Sequence, residues 1–240
     1  MNYQPREFWN RRLSEQFDLR GTGETERSLR YNLACYALRA RVLTRALGEA
    51  GMDPRGREVL DVGCGTGFFT AYYLRRGAQV TGLDIAPTSI ERLRARHPES
   101  TFVLSDVSEA ALDRTFDVVN AFDVLYHITD ERRWETAVRH LAAAVAPGGV
   151  LLVTDTFEPL AGAEHNVMRP LARYRELLGA AGLVPGALYP THVLLNRPLG
   201  PVRFLNRIPL LLYGCDRLLL ALGFGSGPLV NKLLVARRPA

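Results

Sequence analysis

The chain has 240 residues, 47% of them apolar and 23% charged, which is the composition of a globular protein and excludes disordered, collagen-like and coiled-coil chains. At this length one elaborated α/β domain or two small ones are expected, with a core large enough to need no staples. The net charge is +5, but the arginines are scattered in pairs such as Arg11–Arg12, Arg75–Arg76 and Arg132–Arg133. A nucleic-acid reader masses its charge on one face with aromatics between, so such a partner is not favoured.

In chain order, apolar residues at spacings of three and four predict a helix over 28–50, ended by Gly51 and Pro54. A short β-type run at 58–62 leads into glycines, and a helix is expected over 68–75. Strand 79–83, helix 89–96 and strand 101–104 follow. A strand at 116–121 precedes a helix over 131–145, which Pro147, Gly148 and Gly149 close before a buried strand at 150–155. Strand and helix alternate throughout, which implies βαβ units and a parallel sheet with helices on both faces.

The last third reads differently. A helix over 171–181 is closed by Gly182, a strand-like stretch fills 183–196, and a final strand is expected over 229–237. If these two outer strands pair as an antiparallel ribbon, residues 197–228 form an insertion at the sheet edge, expected to act as a cap. The run from Pro209 to Leu222 is apolar nearly all round a helix, whereas a surface helix shows one polar face. It fits a lining for an apolar pocket, a homodimer interface or a peripheral membrane contact.

Cys35, Cys64 and Cys215 are odd in number and none has CxxC spacing. A disulfide framework or zinc site is therefore not expected, and the default is a reducing, cytoplasmic setting. The first residues show no apolar leader segment, and the longest apolar runs fall short of the roughly 18 residues of a membrane span.

The chemistry lies in Asp61-Val62-Gly63-Cys64-Gly65-Thr66-Gly67, which follows a strand and opens a helix. Glycines let the backbone turn tightly and come close to a ligand, and ligands of open α/β sheets bind outside the carboxyl ends of the strands. The spacing is GxGxG rather than the GxGxxG of dinucleotide sites. A carboxylate just before the first glycine is awkward for a pyrophosphate and suits a ligand bearing an ammonium group.

This segment resembles motif I of the class I S-adenosylmethionine-dependent methyltransferases. The likeness continues at Asp84, which closes the second strand, at Asp106 after the third, at 116–127 and at Pro147-Gly148-Gly149. It covers 55–156 firmly and 165–196 loosely. The resemblance implies a doubly wound, seven-stranded, mostly parallel sheet. It further implies an N-terminal helical lid (1–54), a cofactor-binding core (55–196), the helical cap (197–228) and a last core strand (229–240).

It also implies S-adenosylmethionine as cofactor and S-adenosylhomocysteine as product. Asp61, Gly63, Cys64, Gly65 and Gly67 would cradle the methionine part, Asp84 the ribose hydroxyls and Asp106 with Val107 the adenine. Ile85 and Phe122 offer apolar surface. Candidates for the proton-accepting group are His127, Tyr126 and His165, the histidines because imidazole titrates near neutrality. Trp9 and Tyr31 are candidates to shield the sulfonium by cation–π contact. The expected reaction is in-line methyl transfer to a small, apolar acceptor, through oxygen before nitrogen or carbon. An RNA or protein methyltransferase and a non-catalytic cofactor-binding subunit stand as alternatives.

Overall fold

The computed structural model describes residues 3–109, 112–159, 164–196 and 200–240. Its elements are α1 (Pro5–Glu15), α2 (Leu19–Thr22), α3 (Leu29–Glu49), β1 (Glu58–Val62), α4 (Phe68–Leu74), β2 (Gln79–Asp84), α5 (Pro87–Arg96) and β3 (Thr101–Leu104). There follow β4 (Phe116–Ala121), α6 (Glu131–Ala143), β5 (Val145–Asp155), α7 (Leu171–Ala180), β6 (Val184–Pro190), α8 (Pro209–Ala221) and β7 (Lys232–Arg237). α3 and α6 begin on side-chain caps: Ser28 Oγ accepts the Tyr31 N–H at 3.1 Å, and an Asp130 side-chain oxygen accepts that of Arg133 at 2.9 Å.

The strands form one sheet in the order β3-β2-β1-β4-β5-β7-β6. β1 to β5 pair in parallel, and β7 runs antiparallel to both β5 and β6. This is the expected doubly wound, mostly parallel sheet. Strand order reverses between β1 and β4, which leaves a crevice at their carboxyl ends.

Alternation along the strands divides the core. Leu60, Val119, Leu151 and Leu234 face Trp134, Leu141 and Tyr174 on α6 and α7. Val59, Val118, Leu152 and Leu233 face Leu43, Leu47 and Tyr73 on α3 and α4. The central strands β1, β4, β5 and β7 are thus buried on both sides, as parallel sheets require, while the edge strands β3 and β6 are partly exposed.

Several expected boundaries move; the last strand, expected from 229, begins at Lys232, and the helix expected from 89 begins at Pro87. The helix expected to reach residue 145 ends at Ala143, and β5 begins at Val145, which pairs with Phe116. Pro147, Gly148 and Gly149 lie inside this strand, in the irregularity between the Phe116–Val145 and Val118–Val150 pairs. Gly148 has φ +75°, and a Cβ on Gly149 would lie 2.8 Å from the Ala146 carbonyl oxygen. The strand-like stretch from 183 leaves the sheet after Pro190. Beyond it, the N–H groups of Val193, Leu194 and Leu195 bond to the buried carboxylate of Asp216 on α8.

Residues 197–199 of the expected cap lie outside the described residues. Its helix α8 packs on α3, where Leu195 and Leu212 meet Tyr31, Ala34, Cys35 and Leu38. Among the described residues, no helix is long and apolar enough to cross a membrane.

Candidate active site

The glycine loop makes its turn with three left-handed residues, Gly63 (φ +66°), Gly65 (φ +50°) and Gly67 (φ +82°). A Cβ on Gly63 would lie 2.4 Å from Val124 Cγ2, and one on Gly67 2.5 Å from Leu93 Cδ2. Both the backbone conformation and the space demand glycine here. The N–H groups of Gly63 and Cys64 donate to the Leu83 carbonyl at 2.7 and 3.1 Å, which ties the loop to the end of β2.

Asp84 closes that strand. One carboxylate oxygen accepts the Gly65 N–H at 2.7 Å and the other the Ala86 N–H at 2.8 Å. Burial pushes this carboxyl above the usual aspartate value, and the hydrogen bonds from the Ala86 and Gly65 amides oppose the rise. A carboxylate offers about four acceptor positions. Ionised, it only accepts, and its place at the cavity wall suits a donor pair such as a cis-diol.

Around Asp84 lies a cavity of about 490 Å³, within the size range of small-molecule sites. Its wall is formed by residues 63–66, 83–85, 105–107 and 122–124, at the carboxyl ends of β1 to β4. Trp9 and Leu13 of α1 and Thr22 of α2 close one side, and His127, Asp130 and Arg133 another. α1 is docked by Asn10, whose side-chain oxygen accepts the Thr88 N–H and hydroxyl at 3.0 and 2.8 Å.

Asp106 is held from two directions. One oxygen accepts the Ser108 N–H and hydroxyl, at 2.7 and 2.6 Å, and the other pairs with Arg133 at 2.8 Å. Asp123 follows β4 in left-handed backbone, φ 57°. Its carboxylate accepts hydrogen bonds from Thr154 and Asn231 and pairs with Arg39 at 3.0 Å. Burial works against the charge on Arg39, but Asp123 and the neighbouring Tyr36, Cys35 and Tyr126 together outweigh it and raise the guanidinium's pKa.

His127 sits in a single 3-10 turn, Leu125–His127. Its Nδ1 lies 3.2 Å from the His165 carbonyl oxygen. The Trp9 ring meets it edge-on at 4.8 Å, and the His165 ring stacks at 5.6 Å with Phe8 behind. Burial lowers the imidazole to about 4, so the ring is neutral near pH 7.

Of the residues expected at the cofactor, Gly63, Cys64, Gly65, Asp84, Ile85, Asp106, Val107 and Phe122 line the cavity. Asp61 and Gly67 stand outside its wall. The Asp61 carboxylate accepts the Thr70 hydroxyl at 2.6 Å and the Asn120 amide at 2.8 Å, pinning α4 and β4 to β1, and burial lifts it to about 6. Gly67 is the N-cap of α4.

Of the three proton-accepting candidates, His127 alone reaches the wall. His165 lies one ring behind it, and Tyr126 lies outside the wall, its phenol pKa well raised, chiefly by burial and then by Asp123. Trp9 is at the wall, whereas Tyr31 is buried against the α8 segment, its hydroxyl accepting the Asn196 N–H at 2.7 Å. Tyr36, Phe68, Phe69 and Asp123 line the cavity without having been singled out. Tyr36 lies in the helix that spacing predicts over 28–50, and only the assembled sheet turns it toward the crevice.

The methyltransferase-domain family matches residues 29–189. Malonyl-[acyl-carrier protein] O-methyltransferase of Serratia marcescens is 31% identical over 160 residues, 61% of each chain. Ubiquinone biosynthesis O-methyltransferase of Methylobacterium sp. (strain 4-46) is 40% identical over 112 residues, 42% of this chain and 43% of that one. The chain thus spans less than two thirds of the length of these relatives. In fold it is similar to magnesium protoporphyrin IX methyltransferase from Synechocystis PCC 6803 with bound S-adenosylhomocysteine, at TM-score 0.64, 17% identity and 97% of both chains. With the family matched over more than half its length, this chain belongs to the class I S-adenosylmethionine-dependent methyltransferases.

Proposed function

We propose that this protein methylates an oxygen atom of a small, largely apolar molecule. The observation that carries the reading is the pairing, in one cavity wall, of a diol-competent carboxylate, Asp84, with a neutral imidazole, His127. When bound, S-adenosylmethionine supplies a methyl group already activated by its sulfonium.

The residues present fit that group. Asp84, a carboxylate at the wall, is an acceptor of the kind ribose hydroxyls need. The backbone of Gly63, Cys64 and Gly65 offers a close approach for the methionine part. Asp106 and Val107 would meet the adenine, while Ile85 and Phe122 offer apolar surface in the wall.

A carbonyl can only accept, so the His127 Nδ1 facing the His165 oxygen carries the ring proton. The lone pair is then on Nε2. There it accepts the proton of the acceptor's hydroxyl as the new O–C bond forms. Trp9 and α1 exclude water from this end. Leu13, Tyr36, Phe68 and Phe69 give the wall an apolar, aromatic stretch, which supports an apolar acceptor. Two of the relatives bear O-methyltransferase names, which supports oxygen as the atom methylated.

The test is incubation with methyl-labelled donor and separate pools of small phenols and carboxylic acids, with RNA and protein as controls, analysed by mass spectrometry. Methyl ethers or esters are expected. Label found only in RNA or protein overturns the substrate class, and donor binding without turnover on any pool favours a non-catalytic subunit.

A further inference from the structure

Among the described residues, most of the exposed large apolar side chains come from one segment, 204–229. Phe204, Leu210, Leu211, Leu218, Leu222 and Phe224 are all exposed, Leu210 to 77% and Leu222 to 64%. On α8 they occupy one side, while Pro209, Leu212 and Asp216 on the other are buried against the body of the protein. The helix therefore presents an apolar stripe outward, the reverse of an ordinary surface helix. It is held in place by the Asp216 carboxylate, which accepts the N–H groups of residues 193–195.

The charge on this segment has one sign. Asp216 is the only acid in the sequence from residue 177 onward, and it is fully buried. Arg207 and Arg217, by contrast, are exposed beside the stripe. A second copy of the chain pairing through this face would set arginines against arginines, with no carboxylate of the segment to answer them. A phosphate-bearing lipid surface answers both features, with acyl chains for the leucines and phenylalanines and anionic headgroups for the arginines.

We infer that this face docks the protein peripherally on an anionic lipid surface. α8 lies in the interface plane, with α3 between it and the cavity: Tyr36 of α3 lines the cavity while Tyr31, Ala34 and Leu38 of the same helix pack beneath α8.

The test is sedimentation of the full chain with vesicles of phosphatidylcholine alone or mixed with phosphatidylglycerol. The wild type is expected to pellet with the mixed vesicles and to be released by salt. The triple variant Leu210→Ser, Leu218→Ser, Leu222→Ser should bind at least about tenfold more weakly. The pair Arg207→Gln, Arg217→Gln should lose about tenfold on the mixed vesicles while matching the wild type on phosphatidylcholine. Unchanged thermal unfolding midpoints establish that the variants fold. The inference is overturned if the wild type stays in the supernatant with both vesicles. It is also overturned if light scattering shows a dimer that the triple variant converts to a monomer while vesicle binding is unaffected. Neither readout involves methyl transfer, so failure here and failure of the proposed activity are distinguishable.

Discussion

The imidazole of His127 and the backbone carbonyl of His165 face each other at 3.2 Å, across 38 positions of sequence. This contact selects the tautomer, because an oxygen with only lone pairs needs Nδ1 to be the donor. Replacing His127 with Ala should lower kcat by roughly 10²–10⁴-fold, the usual range for a positioned proton acceptor. Donor affinity, measured by calorimetry with S-adenosylhomocysteine, should stay near wild type, because Asp84 is untouched.

The same ring sets a pH signature. An ordinary histidine titrates at about 6.5, whereas burial lowers His127 to about 4. The rate should hold through the ordinary value and fall only as pH nears the lower one. Rate profiles with His127→Gln as reference check this, and a wild-type rate that halves near the ordinary value would remove His127 from the proposed role.

Stability couples to these groups with opposite signs. The unfolded chain protonates His127 before the folded one does, so this group lowers stability as pH falls from about 6.5 to about 4. Asp61 is raised to about 6. Its favourable contribution is complete below the ordinary 3.8 and is lost as pH rises through about 6. Relative to wild type, His127→Asn should gain stability on acidification, and Asp61→Asn should be most destabilised in acid and least above neutrality. Urea midpoints across this range measure both.

Asp84→Asn removes a charge and sets an amide N–H₂ against a backbone donor, that of either Gly65 or Ala86. Hydrogen bonds to charged groups contribute roughly 1.5–3 kcal/mol. Affinity for S-adenosylhomocysteine should therefore fall about tenfold to a hundredfold, read by calorimetry.

Arg39 and Asp123 form a pair with side chains only 9% and 15% exposed. Arg39→Met leaves a buried carboxylate without its counter-ion, and about 3–5 kcal/mol of stability should be lost in chemical denaturation. The double variant Arg39→Met, Asp123→Asn should recover part of that loss, since no charge is then stranded.

Gly63→Ala meets two obstacles, the left-handed backbone and Val124. Donor binding should be lost and thermal stability reduced. Adding Val124→Ala should restore part of the stability, because it relieves the contact but not the backbone strain.

Much of the crevice is legible in the sequence. The helices over 28–50 and 89–96, the strands and the glycine loop declare themselves through local periodicity and spacing, which depend only on neighbouring residues. Pro147-Gly148-Gly149 misled because a turn signature and an irregularity within a strand use the same residues. What separates them is the pairing of Val145 with Phe116, a contact between distant segments. Asp61 and Asp84 show the same limit. Both are acids at strand ends, yet Thr70 and Asn120 draw Asp61 behind the loop while Asp84 stays in the wall.

By itself, then, the sequence determined the alternation of strands and helices, the glycine turn and the acids that mark a donor-binding crevice, because each is encoded within a few adjacent residues. Only the tertiary structure decided which of three candidate side chains meets the cavity, that His127 is neutral there, and that the apolar helix faces outward. Those properties arise from burial and from contacts between segments far apart in the chain, for which local spacing carries no signal.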